Sequence, residues 1–122
     1  MIKINKKGLI NMSELNVVQE LYKIIEERKE NPIVGSYTSY LFEEGLDKIL
    51  KKIGEESTEV VISSKNNNQK EMISEISDLL YHTLVLMVLK NVKVEDIATE
   101  LEIRRKKICN KKQNKEDIAG IH

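Results

Sequence analysis

The chain has 122 residues, with 20 Asp and Glu set against 20 Lys and Arg, so its formal net charge is zero. That length holds one domain with a modest core, and the balance offers neither nucleic acid nor a membrane surface a bulk electrostatic attraction. Hydrophobic residues at 40%, one proline, five glycines and no tryptophan favour long helices over a strand-rich fold.

Residues Met1 to Asn11 carry lysines but no apolar run long enough for a signal peptide, and read as a leader or flexible arm. Ser13 is a good N-cap, with Met12 placed to staple against Val17. Leu15, Val18, Leu21, Tyr22 and Ile25 then form a helical stripe to about Lys29, which Asn31-Pro32 breaks. Ile33 to Thr38 has no helical period and is dense in hydroxyls. It reads either as a plain connector or as a ligand-facing loop, since Gly35 permits close backbone approach and hydroxyls donate to phosphate oxygens.

The second helix begins near Ser39 or after Gly45 and runs to about Lys65, with Lys48, Lys51 and Lys52 on its first half. Asn66-Asn67-Asn68 is a turn short enough to force an antiparallel hairpin with a third helix, Gln69 to Lys90. From Leu79 to Leu89 this third helix is apolar nearly all round, which calls for a second subunit to cover it, while the stretch is too short to span a membrane. Val94, Ile97, Ala98, Leu101 and Ile108 mark a fourth helix ending near Asn110, and residues 111–122 read as a polar tail. The domain proper is therefore 12–110. Cys109 is the only cysteine and lies in a basic run, which fits a reducing cytosol rather than a disulfide or a nucleophile.

The informative constellation is Glu55-Glu56-x-x-Glu59 on the second helix, answered by Glu75-x-x-Asp78 on the third. Glu56 falls on the apolar stripe Leu46, Ile49, Ile53, Val60, and Glu75 and Asp78 flank the stripe Met72, Ile76, Leu79, Leu80. A solvated acidic face is the alternative, helped by Lys51 and Lys52 one turn before Glu55 and Glu56. The interruption of apolar stripes, and its recurrence on consecutive helices, weighs against it. Carboxylates aimed at a neighbouring helix need a counter-charge, and an all-carboxylate set selects Mg²⁺, with Mn²⁺ as substitute, over zinc. A di-iron bundle would need Glu-x-x-His, which is absent; His82 stands four residues after Asp78 and reads as a satisfied core residue. Mg²⁺ held this way takes further ligands from substrate phosphates, and the chain lacks a P-loop. The residues alone thus point to a helical, Mg²⁺-dependent phosphoanhydride hydrolase. A non-catalytic helical dimerisation module with a structural cation stays open beside it.

The acidic constellation resembles that of the MazG-like all-α nucleotide pyrophosphohydrolases. The runs Gly35 to Leu41, Ile49 to Glu56 and Ser77 to His82 are similar to the phosphoribosyl-ATP pyrophosphatase branch, over about Leu15 to Lys106. Ser57, Ser63 and Ser64 depart from the branch only in standing where alanine is frequent. The resemblance implies a four-helix MazG-like fold completed by dimerisation. It also implies cytoplasmic hydrolysis of phosphoribosyl-ATP to phosphoribosyl-AMP and pyrophosphate, the second step of histidine biosynthesis. It makes Glu56, Glu59, Glu75 and Asp78 metal ligands and Glu55 and Glu56 the catalytic residues, with Glu55 a candidate for orienting the attacking water. Lys48, Lys51, Lys52, Ser36 and Thr38 would meet phosphates, with Tyr37 near the base or ribose. No fused cyclohydrolase with its zinc-binding cysteines is seen, so the stand-alone form is expected. A MazG-like enzyme acting on deoxynucleoside or damaged triphosphates is the alternative within the superfamily.

Overall fold

A computed structural model describes residues 16–111, and among them every regular element is a helix. The elements are α1 (Val17–Glu30), α2 (Tyr37–Glu44), α3 (Leu46–Lys65), α4 (Gln69–Leu89) and α5 (Val94–Lys111). The all-α expectation is met, with five helices where the periodicity indicates four. The expected Ser13 cap, its Met12 staple, the arm 1–11 and the tail from residue 112 onward lie outside the described residues.

The additional helix is α2, and two caps create it. Ser36 is extended, and its hydroxyl accepts from the Ser39 N–H, so a helix starts at Tyr37. Gly45 ends that helix with φ 92° and ψ −171°, a backbone region essentially reserved for glycine. Its N–H closes on the Leu41 carbonyl while its own carbonyl starts α3 by accepting from Ile49. Both expected start points, near Ser39 and after Gly45, therefore correspond to real helices.

The α3–α4 hairpin is built by its asparagines. Asn67 takes the left-handed conformation (φ 54°), and the Asn68 N–H returns to the Ser63 carbonyl, closing the end of α3. Asn68 then caps α4: its side-chain oxygen accepts from the Glu71 N–H at 3.1 Å, and its amide donates to the Glu71 carboxylate. The core of this unit is Tyr22 and Ile25 of α1, Leu41 of α2, Ile49 of α3, and Leu84, Val85 and Val88 of α4. Beyond α1, the segment to α2 is held by Ser39, whose hydroxyl accepts from the Ile33 N–H at 3.0 Å and donates to the Arg28 carbonyl at 3.4 Å.

The chain divides into two compact units between Asn91 and Val92, with α1–α4 in the first and α5 in the second. In α5, Asp96 accepts from the Lys93 N–H at 2.8 Å at the helix start, and Arg104–Glu100 and Arg105–Glu102 pair along its length. By length and composition α4 is apolar enough to cross a membrane. Leu84, Val85 and Val88 of its second half are buried in the core, while Ile73, Ile76 and Leu80 are exposed.

Candidate metal centre and its hydroxyl loop

Helical spacing places Glu56 and Glu59 one turn apart on α3, and Glu71, Glu75 and Asp78 on successive turns of α4. The two helices bring these together as two triads, Glu56–Glu75–Asp78 and Glu59–Glu71–Glu75, whose oxygens within each triad lie within 4.8 Å of one another. Glu56, which precedes Glu59 on α3, meets Asp78, which follows Glu71 on α4, while Glu59 meets Glu71; that crossed order is an antiparallel hairpin. Three of the sequence-predicted ligands, Glu56, Glu75 and Asp78, are thus brought together in one triad, and the fourth, Glu59, joins the other through Glu75, which belongs to both.

Glu71 is the member the sequence reading missed. It stands one turn before Glu75, but an acidic side chain in the first turn of a helix is expected simply to complement the helix N-terminus, and the Glu71 carboxylate accepts from the Asn68 side-chain amide at 3.1 Å. The spacing Glu71–Glu75–Asp78 was the available signal.

The electrostatics are those of carboxylates crowded without a counter-charge. Glu75 Oε2 is buried and has no hydrogen-bond partner. The carboxyl of Glu75 is held above its ordinary 4.5, chiefly by a shared hydrogen bond with Glu56, then by loss of solvent and by the charges of Glu56, Asp78 and Glu71. Converging carboxylate oxygens, one of them buried and unpartnered, fit a hard divalent cation. Glu55 belongs to neither triad: it is exposed and pairs with Lys52 at 3.7 Å.

The hydroxyl loop lies against the same end of α4. Tyr37 donates from its phenol to Nε2 of His82 at 2.9 Å, and the hydroxyls of Thr38 and Tyr81 meet at 2.5 Å. Burial, together with the negative charges and phenols nearby, pushes the Tyr37 phenol up, so it keeps its proton as a donor. Burial pushes His82 down, which keeps the imidazole neutral. At 3.7 Å from His82 Nδ1, Glu56 therefore faces a neutral ring rather than a partner cation. The rings of Tyr40, Tyr37 and Tyr81 form a loosely stacked row with centroids 6.0 and 6.2 Å apart. Lys48 Nζ sits 5.9 Å from the Tyr40 ring centre. Beside this row opens a cleft of about 590 Å³ lined by Ile33, Val34, Gly35, Ser36, Tyr37 and Tyr40 among others. Of the expected phosphate-binding hydroxyls, Ser36 is engaged as a helix cap and Thr38 with Tyr81. Among the lysines, Lys48 and Lys52 are half-buried and Lys51 is exposed.

Comparison with known proteins follows the same residues. A family model described as phosphoribosyl-ATP pyrophosphohydrolase matches residues 18–105. The phosphoribosyl-ATP pyrophosphatase of Clostridium botulinum is 59% identical over 110 residues, 90% of this chain and 100% of that protein. The one from Clostridium acetobutylicum is 56% identical over the same shares. A histidine biosynthesis bifunctional protein from Caldanaerobacter subterraneus is 57% identical over 93 residues, 76% of this chain and 45% of that protein. The family match spans α1 to α4 and most of α5, and so includes every residue of both triads.

Proposed function

The chain belongs to the phosphoribosyl-ATP pyrophosphohydrolase family, and we infer that it hydrolyses the α–β phosphoanhydride of phosphoribosyl-ATP, giving phosphoribosyl-AMP and pyrophosphate in histidine biosynthesis. The observation that carries the chemistry is the convergence of Glu56, Glu75 and Asp78 around an orphaned carboxylate oxygen. These three residues, with Glu59, would hold Mg²⁺, or Mn²⁺ in its place. Such a cation neutralises phosphate charge and activates water when bound.

The protein's own groups do the rest. Glu55 orients the attacking water, with Glu56 at the metal site; the water oxygen bonds to one phosphorus of the α–β bridge as the bridging oxygen leaves with the other product, and the water's proton passes to solvent. Lys48 and Lys52, four residues apart on one face of α3, hold the polyphosphate, with Lys51 behind them. The Ser36–Thr38 turn bounds the nucleoside side of the site, and Tyr37 offers a ring face for base or ribose. We take 12–110 as the enzyme domain, a span within which the family match falls.

The working form is a homodimer on this reading. Ile73, Ile76 and Leu80 of α4 form an exposed stripe at helical spacing, and Val61 and Ile62 of α3 are exposed too. Sedimentation equilibrium at micromolar protein is expected to give twice the chain mass; a single-chain mass sinks the dimer. A cytoplasmic location accompanies this reading, since a single cysteine needs no oxidising compartment.

The enzymatic test is pyrophosphate release with and without Mg²⁺, comparing phosphoribosyl-ATP with ordinary and deoxy triphosphates. Release from phosphoribosyl-ATP alone, stopped by chelation, is the expected result. Preferential release from deoxynucleotides would overturn the substrate assignment and leave the cleavage chemistry standing. Silence on every substrate would favour a structural module.

A further inference from the structure

Two consecutive side chains of α4, Tyr81 and His82, grip two consecutive residues at the start of α2, Thr38 and Tyr37, across 43 and 45 residues of sequence. His82 is only 4% exposed, and both its nitrogens are engaged. Nδ1 lies 2.9 Å from the Asp78 carbonyl oxygen, which can only accept, so Nδ1 carries the hydrogen. Nε2 must then accept, and the Tyr37 phenol donates to it. One tautomer of a neutral imidazole satisfies both bonds. A buried ring kept only for packing would be cheaper without nitrogens. This ring links the backbone of the Asp78 turn, on one side, to the hydroxyl loop on the other, with Glu56 3.7 Å from Nδ1.

We propose that His82 is a positioning residue: by joining Tyr37 to the Asp78 turn, it fixes the substrate-binding loop relative to the carboxylate cluster. The proposal rests on the pyrophosphohydrolase reading given above. Loss of the tie leaves the carboxylates in place but lets the start of α2 drift, so substrate capture suffers more than the chemical step.

The test compares Tyr37→Phe, His82→Asn and the double variant in steady-state pyrophosphate release from phosphoribosyl-ATP with Mg²⁺. It is accompanied by ¹⁵N spectra of the histidine ring at one fixed pH. Tyr37→Phe removes only the donor and leaves the ring beside Tyr40 and Tyr81, so it tests the tie even if His82→Asn does not fold. Each single change is expected to raise KM about tenfold with kcat within about twofold, the size typical of a supporting hydrogen bond. The double variant is expected to be no worse than the worse single, because both remove one interaction. In the wild type, Nε2 is expected to lack hydrogen and to shift on Tyr37→Phe while Nδ1 stays put. Additive losses, a fall in kcat at constant KM, or hydrogen on Nε2 would each overturn the positioning role. Silence of the wild type on phosphoribosyl-ATP would instead overturn the function on which it rests.

Discussion

Glu75→Gln is expected to abolish pyrophosphate release while making the metal-free protein melt higher than its parent. The first effect follows from the place of Glu75 in both triads, where it would contribute to every cation the cluster holds. Removing one anionic ligand forfeits several kcal/mol of charge stabilisation at phosphorus, on the order of 10³-fold in rate. The second effect has the opposite sign because, without a cation, Glu75 is a liability. Glu56, Asp78 and Glu71 all oppose its charge, and its Oε2 has no donor. Its folded-state pKa lies above the ordinary 4.5, so the native protein holds a proton that the unfolded chain releases more readily. Stability of the chelated parent therefore falls as pH rises from 4.5 through the raised value, and this loss is complete above it. Glutamine carries no charge and removes that dependence.

With Mg²⁺ present the order reverses. At one hundred times its Kd, a cation that binds only the folded parent adds roughly 2.7 kcal/mol, whereas the variant gains little. Thermal melts of both proteins, in chelator and in Mg²⁺ at neutral pH, read all three effects. A variant that melts lower than its parent in chelator would show that Glu75 is held by some donor, and the cluster would not need a cation.

The acidic hairpin was legible in the sequence because its signals are local. Spacings of three and four fix which face of a helix Glu56, Glu75 and Asp78 occupy, and the run Asn66–Asn68 is too short for anything but reversal. Two features needed tertiary information. The sequence offers Ser39 and Gly45 as alternative starts of one helix, and only the φ of 92° at Gly45 shows that the stretch holds two, α2 and α3. The Tyr37–His82 and Thr38–Tyr81 bonds join positions more than forty residues apart, and no periodicity encodes such a pairing. His82 was read correctly as satisfied and buried, yet its partners were invisible until the helices were packed. Glu71 was hidden for a different reason: its place in the first turn of α4, where a negative charge complements the helix N-terminus, already explains an acidic residue there.

The three lysines of α3, grouped together in the sequence, should separate sharply by function. Lys52→Ala is expected to lower kcat/KM on the order of 10²-fold, the loss of one charge-assisted contact to phosphate. Lys51→Ala should cost less than about threefold, as removal of a remote, solvated charge does. Lys48 and Lys52 are four residues apart and share a face, while Lys51 is turned by about 100° from Lys52. Lys52 lies close enough to depress His82 by its charge, and it pairs with Glu55; Lys51 is exposed, with no carboxylate partner among the described residues. Neither change should move the melting temperature appreciably, because a solvent-accessible i,i+3 pair such as Lys52–Glu55 contributes only about a few tenths of a kcal/mol. The loss in Lys52→Ala is therefore assignable to substrate. Raising salt should shrink the difference between parent and variant if Lys52 acts by its field, and preserve it if the ammonium binds phosphate directly in a desolvated site. Equal losses from Lys51 and Lys52 would move the polyphosphate off the face that carries Glu56, and the assignment of the lysines would have to be redrawn.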